Sequence, residues 1–181
     1  MKRKATRKLA ARVSEKDHVQ GSPRATVTLV CYGDFARPEC AKTYRTVKKI
    51  QAKMGSRLRY VFRTFPQPRE NPRSEAAAEA AECASSQGKF WQMHDRMFEN
   101  QGASDEFNLS RYAAEVGLDL KQFRSEMRRH AHLAAIRAAR REGVRSGVVE
   151  APTFFIDTRE HRSAFGLTTL LPALQAAAGG A

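Results

Sequence analysis

Apolar and polar positions along this chain repeat with two different periods, and together they mark out an order of strands and helices. "TVTLVCY" (26–32) is rich in β-branched residues, with Val27, Leu29 and Cys31 on one side and Thr28, Val30 and Tyr32 on the other. Both sides are largely apolar, which predicts a central strand covered on two faces. In "PECAKTYRTVKKIQAKM" (38–54) the period changes. Cys40, Tyr44, Val47, Ile50 and Met54 recur at helical spacing, and Lys42, Arg45, Lys48, Lys49 and Lys53 take the opposite face. Pro38 suits the first helical turn, where no N–H is needed, and Gly55 marks the stop. "RLRYVFR" (57–63) is a second strand. Strand, helix, strand is a βαβ unit, expected to be right-handed with parallel strands.

Beyond the loop "FPQPRENP" (65–72) the pattern turns helical. "SEAAAEAAECASS" is expected to be capped by Ser74, and "KFWQMHDRMFEN" to bury Phe90, Met93 and Met97. "NLSRYAAEVGL" and one long helix, "DLKQFRSEMRRHAHLAAIRAARREGV", follow, the latter with an Arg-rich face (Arg128, Arg129, Arg137, Arg140, Arg141). "APTFFID" (151–157) is a strand that starts at a proline, and "HRSAFG" (161–166) a short edge strand beside it. "LTTLLPALQ" closes the chain as a helix with Pro172 near its first turn. Four strands in βαβ and ββα halves, with helices between, predict an α/β sandwich with a helical insertion.

The 181 residues suit a single domain. We place it at 18–178, with the insertion at about 72–147. The first 17 residues hold seven basic and two acidic side chains, +5 of the chain's net +13, and no sustained apolar face. They are expected to form a basic tail that is disordered or loosely helical. Such a tail is either solvated or a weak nonspecific contact for nucleic acid. No apolar run approaches the ~18 residues of a membrane span, and the N-terminus lacks the apolar core of a signal peptide. A cytoplasmic protein with no membrane contact is expected. Cys31, Cys40 and Cys83 are too few for a disulfide scaffold, and none pairs as C-x-x-C. No His/Cys spacing resembles a zinc site, so no metal is expected. Cys83, among alanines, reads as a small buried apolar residue, and His94 as structural.

The chemistry concentrates in "GDFARPEC" (33–40), where a strand ends and a helix begins. With a cysteine at 37 this would be C-P-x-C, a redox motif. The segments "DHVQGSP", "VTLVCYGDF", "RYVFRTFP", "EAAAEAAECA", "QGKFWQMHDRMFEN" and "GVVEAPTFFID" resemble, in order, segments of the bacterial DsbA family of thiol-disulfide oxidoreductases. The resemblance covers roughly residues 17 to 176. It implies a thioredoxin fold with the helical insertion between its βαβ and ββα halves. In that family the attacking cysteine comes first in C-P-x-C. Here Arg37 stands in its place, while Pro38 and Cys40 match. Cys31 stands where the family has a buried acidic residue. Pro152 matches the family's cis-proline, with Ala151 before it.

A dithiol cycle needs an exposed thiolate at the helix start and a second thiol to resolve the mixed disulfide. Arg37 supplies no sulfur, which excludes the ordinary cycle. Cys40, on the apolar stripe of its helix, is either a retained core cysteine, a single catalytic thiol, or a partner of Cys31. The expected binding set is Arg37, Pro38, Glu39, Ala151 and Pro152, with Cys31 in support. Arg37 either pairs with Glu39 or joins the helix N–H groups in an anion site. The leading expectation is a redox-inactive or altered DsbA-like protein that binds a peptide, a protein or a small thiol or anionic ligand. Glutathione is the cofactor to consider if the protein is instead a transferase or isomerase of the DsbA-like group. A nucleic-acid-associated protein working through residues 1–17 is a third reading.

Overall fold

The computed structural model describes residues 7–180, which run through β1 (His18–Gly21), β2 (Val27–Gly33), α1 (Pro38–Met54), β3 (Leu58–Thr64), α2 (Ser74–Ser85), α3 (Phe90–Glu99), α4 (Glu106–Glu115), α5 (Leu120–Arg128), α6 (Leu133–Arg145), β4 (Thr153–Ile156), β5 (Arg159–His161) and α7 (Leu167–Gly179). The strands form one sheet in the order β1-β3-β2-β4-β5. β2 and β3 are parallel; the other neighbours are antiparallel. This is a thioredoxin fold. β2 lies at the centre and every one of its residues is buried, as its two apolar sides require.

Helix α1 connects β2 to β3. It buries Cys40, Val47, Ile50 and Met54 and leaves Lys42, Arg45, Lys49 and Lys53 exposed. Gly55 ends it with φ 54, a conformation glycine takes without a Cβ penalty. α1 and α7 contact each other and the sheet. α6 also contacts the sheet, and Gly143 allows it close: a Cβ there would lie 2.9 Å from ring atoms of both Tyr32 and Phe65. Helices α2 to α6 form the insertion. Alanines Ala77, Ala78, Ala80, Ala81 and Ala84 are buried on α2, and their small side chains let α3, α4, α5 and α6 all reach it.

The structure differs from the sequence-based expectations in several places. The sheet has five strands, not four, because His18–Gly21 pairs with β3. The edge strand is Arg159–His161, ahead of the 161–166 segment expected to form it. The long helix is two: His130 takes φ 50, and the chain turns between α5 and α6. Ser74 does not cap α2. Arg73 holds that position, and the Ser74 hydroxyl turns to the buried Asp34. Pro172 lies inside α7 rather than in its first turn, so one N–H is missing from the helix ladder.

The expectation of a disordered tail ending at residue 17 also needs correction. Residues 1–6 lie outside the described residues. Residues 7–17 are held to the sheet. Lys8 bridges to Arg159, and Leu9 donates its N–H to the Thr158 carbonyl at 2.9 Å. The stronger anchor is Arg63 on β3. Its Nε and Nη2 meet the two carboxylate oxygens of Asp17 at 2.6 and 3.0 Å. Its Nη1 donates to the Ala11 carbonyl and the Tyr32 hydroxyl. A paired guanidinium beside an aromatic ring gives this segment the fixed partners that its charge pattern did not suggest.

Candidate functional site

The site forms where β2 ends and α1 begins. Arg37 is the N-cap residue of α1, with extended backbone and no side-chain cap, and Pro38 follows in the first turn. Between them and the strand lies Asp34, 2% exposed. Its Oδ1 accepts the Ala36 N–H at 2.9 Å, and its Oδ2 accepts the Gln67 N–H at 3.0 Å and the Ser74 hydroxyl. Burial raises the Asp34 pKa, and the hydrogen bonds, led by that from Ser74, oppose the rise.

The Asp34 N–H donates to Cys40 Sγ at 3.4 Å. Cys40 is 3% exposed, and burial pushes its thiol up to about 12, against the opposing hydrogen bond from Asp34. At neutral pH it carries almost no thiolate, which is the nucleophilic form. Cys31 on β2 is buried as well. Its pKa rises through burial first, then through the charge Cys40 would carry, and a hydrogen bond with Tyr60 works the other way. Cys31 and Cys40 both lie behind the surface, near enough for the charge of one to bear on the other. All three cysteines are free.

Arg37 does not point into open solvent. Its Nη1 donates to Gln67 Oε1 at 2.7 Å and to Glu70 Oε2 at 2.8 Å, while its Nε lies 3.8 Å from Glu39 Oε2. Glu39 is thus the more distant partner and Glu70 the closer. Gln67 links the whole site. Its Oε1 also accepts the Ala151 N–H at 2.8 Å, and its Nε2 donates to Glu70 Oε1 at 2.7 Å. The Ala151–Pro152 bond is cis. The helix start, the loop after β3 and the proline turn before β4 are fastened through one amide side chain.

Beside this knot runs an open groove of about 410 Å³, lined by Arg37, Glu39, Ala151 and Pro152 from the expected set, and also by Lys42 and Phe165. Pro38 sets the helix start and does not line the groove. Cys40 and Cys31 do not line it either. Asp34, Gln67 and Glu70 were not legible as site residues. A signal for one of them exists: in "PQP" (66–68) the prolines carry no N–H, so Gln67 offers the stretch's one backbone donor, and a buried acceptor must meet it.

Comparisons agree with this geometry. The model of the family described as Thioredoxin matches residues 13–176. Na(+)/H(+) antiporter NhaA 1 of Mycolicibacterium gilvum is 35% identical over 167 residues, which cover 91% of this chain and 27% of that protein. The chain spans about a quarter of the length of the curated relatives it matches. Among solved structures, BdbD from Bacillus subtilis aligns with a TM-score of 0.83 at 18% identity, over 96% of this chain and 100% of that one. A thioredoxin-like oxidoreductase from Silicibacter pomeroyi aligns at 0.81 and 26% identity, over 93% and 95%. Wolbachia pipientis alpha-DsbA1 aligns at 0.80 and 19% identity, over 93% and 94%. With its βαβ and ββα halves, its helical insertion and its cis-proline beside the helix start, the chain has the fold of BdbD and alpha-DsbA1, and it belongs to the thioredoxin family.

Proposed function

We propose that this chain is a DsbA-like protein that has given up dithiol exchange and binds an extended polypeptide segment in the groove beside Pro152. The observation that carries this reading is the pairing of Arg37 with a buried Cys40. The helix start offers a guanidinium held by Gln67 and Glu70 in place of a thiol, and Cys40 is inaccessible and protonated behind it. The groove supports the binding half. Its lining includes cationic Arg37 and Lys42, acidic Glu39 and Glu150, and the apolar ring of Phe165. A segment carrying both charges and one apolar side chain suits that lining.

A small anion or glutathione finds less support, because the carboxylate of Glu70 already meets the Arg37 fork. The curated relatives bear antiporter names and are far longer than the matched stretch. That setting suits recognition of a neighbouring polypeptide. Antiport itself is not assigned to this chain, in whose described residues no helix is long and apolar enough to cross a membrane. The reading carries with it a reducing compartment, in which Cys31 and Cys40 stay thiols.

Titration with a reduced, alkylated unfolded protein, followed by amide NMR, tests the binding half. Shifts are expected at Glu39, Lys42, Thr43, Ala151 and Gly166. Shifts that spare these residues and fall elsewhere would reject the groove as the binding surface.

A further inference from the structure

Away from the groove, three side chains of different ligating type meet within the helical insertion. Cys83 on α2, Glu126 on α5 and His132 in the turn before α6 each bring one donor atom, and the three atoms lie within 4.8 Å of one another. Among the described residues this is the one group of three or more His, Cys, Asp or Glu side chains so placed. His132 Nε2 is 3.0 Å from Glu126 Oε2. Cys83 Sγ lies within 4.8 Å of the same carboxylate.

The surroundings fit a cation better than a plain core thiol. Ser86 Oγ and Gln122 Nε2 hold the two oxygens of Glu126 at 3.0 and 2.8 Å, so the carboxylate is oriented by its own outer partners. Glu79 and Glu82 lie on the same helix as Cys83, and their charges reach its thiol. Their ring partners are His130 and His18. In a chain of net charge +13 this spot gathers carboxylates around a sulfur. Nucleophilic chemistry fits poorly, because the thiol has no exposed surface for a substrate to reach. Glu126 and His132 keep 12% and 26% of their side chains exposed, which leaves a route from solvent.

We propose that Cys83, Glu126 and His132 bind a borderline divalent transition metal, zinc above all, with a fourth coordination position open toward the surface. A sulfur, nitrogen and oxygen set is the donor mixture such ions favour over magnesium or calcium. Bond lengths of about 2.0–2.3 Å put the donors of a tetrahedral site roughly 3.3–3.7 Å apart, so the set closes on an ion with shifts of about 1 Å. On binding, Cys83 yields its proton to solvent and coordinates as thiolate, His132 coordinates as neutral imidazole and Glu126 as carboxylate. The expectation of no metal rested on spacing along the chain, which these three residues do not share with known zinc motifs.

Cobalt titration of the full chain, first freed of metal with a chelator, tests the site. A thiolate-to-cobalt charge-transfer band is expected, bleached by added zinc and absent in Cys83→Ser. Replacing Cys31 and Cys40 together by Ser should leave it intact. His132→Gln alters a partly exposed turn residue and should weaken cobalt affinity about tenfold or more. It decides the matter should Cys83→Ser not fold. No band, a band that survives Cys83→Ser, a band lost with Cys31 and Cys40, or undiminished affinity in His132→Gln would each overturn the proposal.

Discussion

Gln67 uses its N–H and both side-chain polar atoms at one point of the fold, joining Asp34, Arg37, Glu70 and the Ala151 N–H. Replacing it by Ala strands the buried Ala151 donor and unfastens Arg37. Leaving a buried donor unsatisfied costs about 1–3 kcal/mol. Urea unfolding of Gln67→Ala should show a loss in that range. A loss within ~0.5 kcal/mol, the scatter of an ordinary surface change, would mean that the knot is not structural. Arg37, Cys40 and Pro152 were legible in the sequence because each sits at a motif position. Gln67 was not, because an amide in a loop has no period, and its partners lie on segments far away in the chain. Cys83 was legible only as a small core residue: the carboxylate and imidazole that meet it come from α5 and from the turn before α6, which no local pattern brings together with α2.

The βαβ half was read nearly to its ends, since α1 and both strands carry strong periodicity. The errors fall on short or interrupted elements. β1 has four residues and only its pairing with β3 defines it. The break between α5 and α6 has no Gly or Pro to mark it, and in "RRHAHLAA" only the two histidines are weak helix formers; contacts of His130 with Glu79 and of His132 with Glu126 accompany the turn. Composition shows the charge of residues 7–17 and not their partner on β3. Asp17 and Arg63 have 9% and 11% of their side chains exposed, and removing one member of a buried ion pair costs about 3–5 kcal/mol. Asp17→Ala, or removal of residues 1–17, should lower the urea midpoint clearly. An unchanged midpoint would restore the picture of a tail that contributes nothing to the fold.

His94 ties the insertion to the sheet. It lies 2% exposed among Phe35, Phe62, Phe90, Trp91 and Phe98, with Nδ1 on Asp95 and Nε2 without a partner. Burial lowers its pKa below the usual 6.5, against the pull of Asp95. The unfolded chain therefore binds a proton at His94 before the folded one does. Its contribution to stability is whole above pH 6.5 and is lost as pH falls through that value toward the folded pKa. Asp34 has the opposite sign, since its folded pKa is raised and the folded state protonates first. Urea unfolding at pH 7 and pH 5 should show lower stability at pH 5 from His94, and His94→Phe, which suits the aromatic surroundings, should lose that component of the slope. An identical slope in the variant would mean that His94 protonates freely in the folded protein.

The proposed function gives this thioredoxin-fold frame no dithiol chemistry, and catalysed reduction of a protein disulfide is the assay that decides it. The wild type should match a control without enzyme, because Arg37 has no sulfur and Cys40 is buried and protonated. Arg37→Cys should place a thiol at the N-terminus of α1, three residues before Cys40, where the helix lowers its pKa, and turnover should appear. Wild-type turnover above the control that disappears in Cys40→Ser would mean that Cys40 is a working thiol.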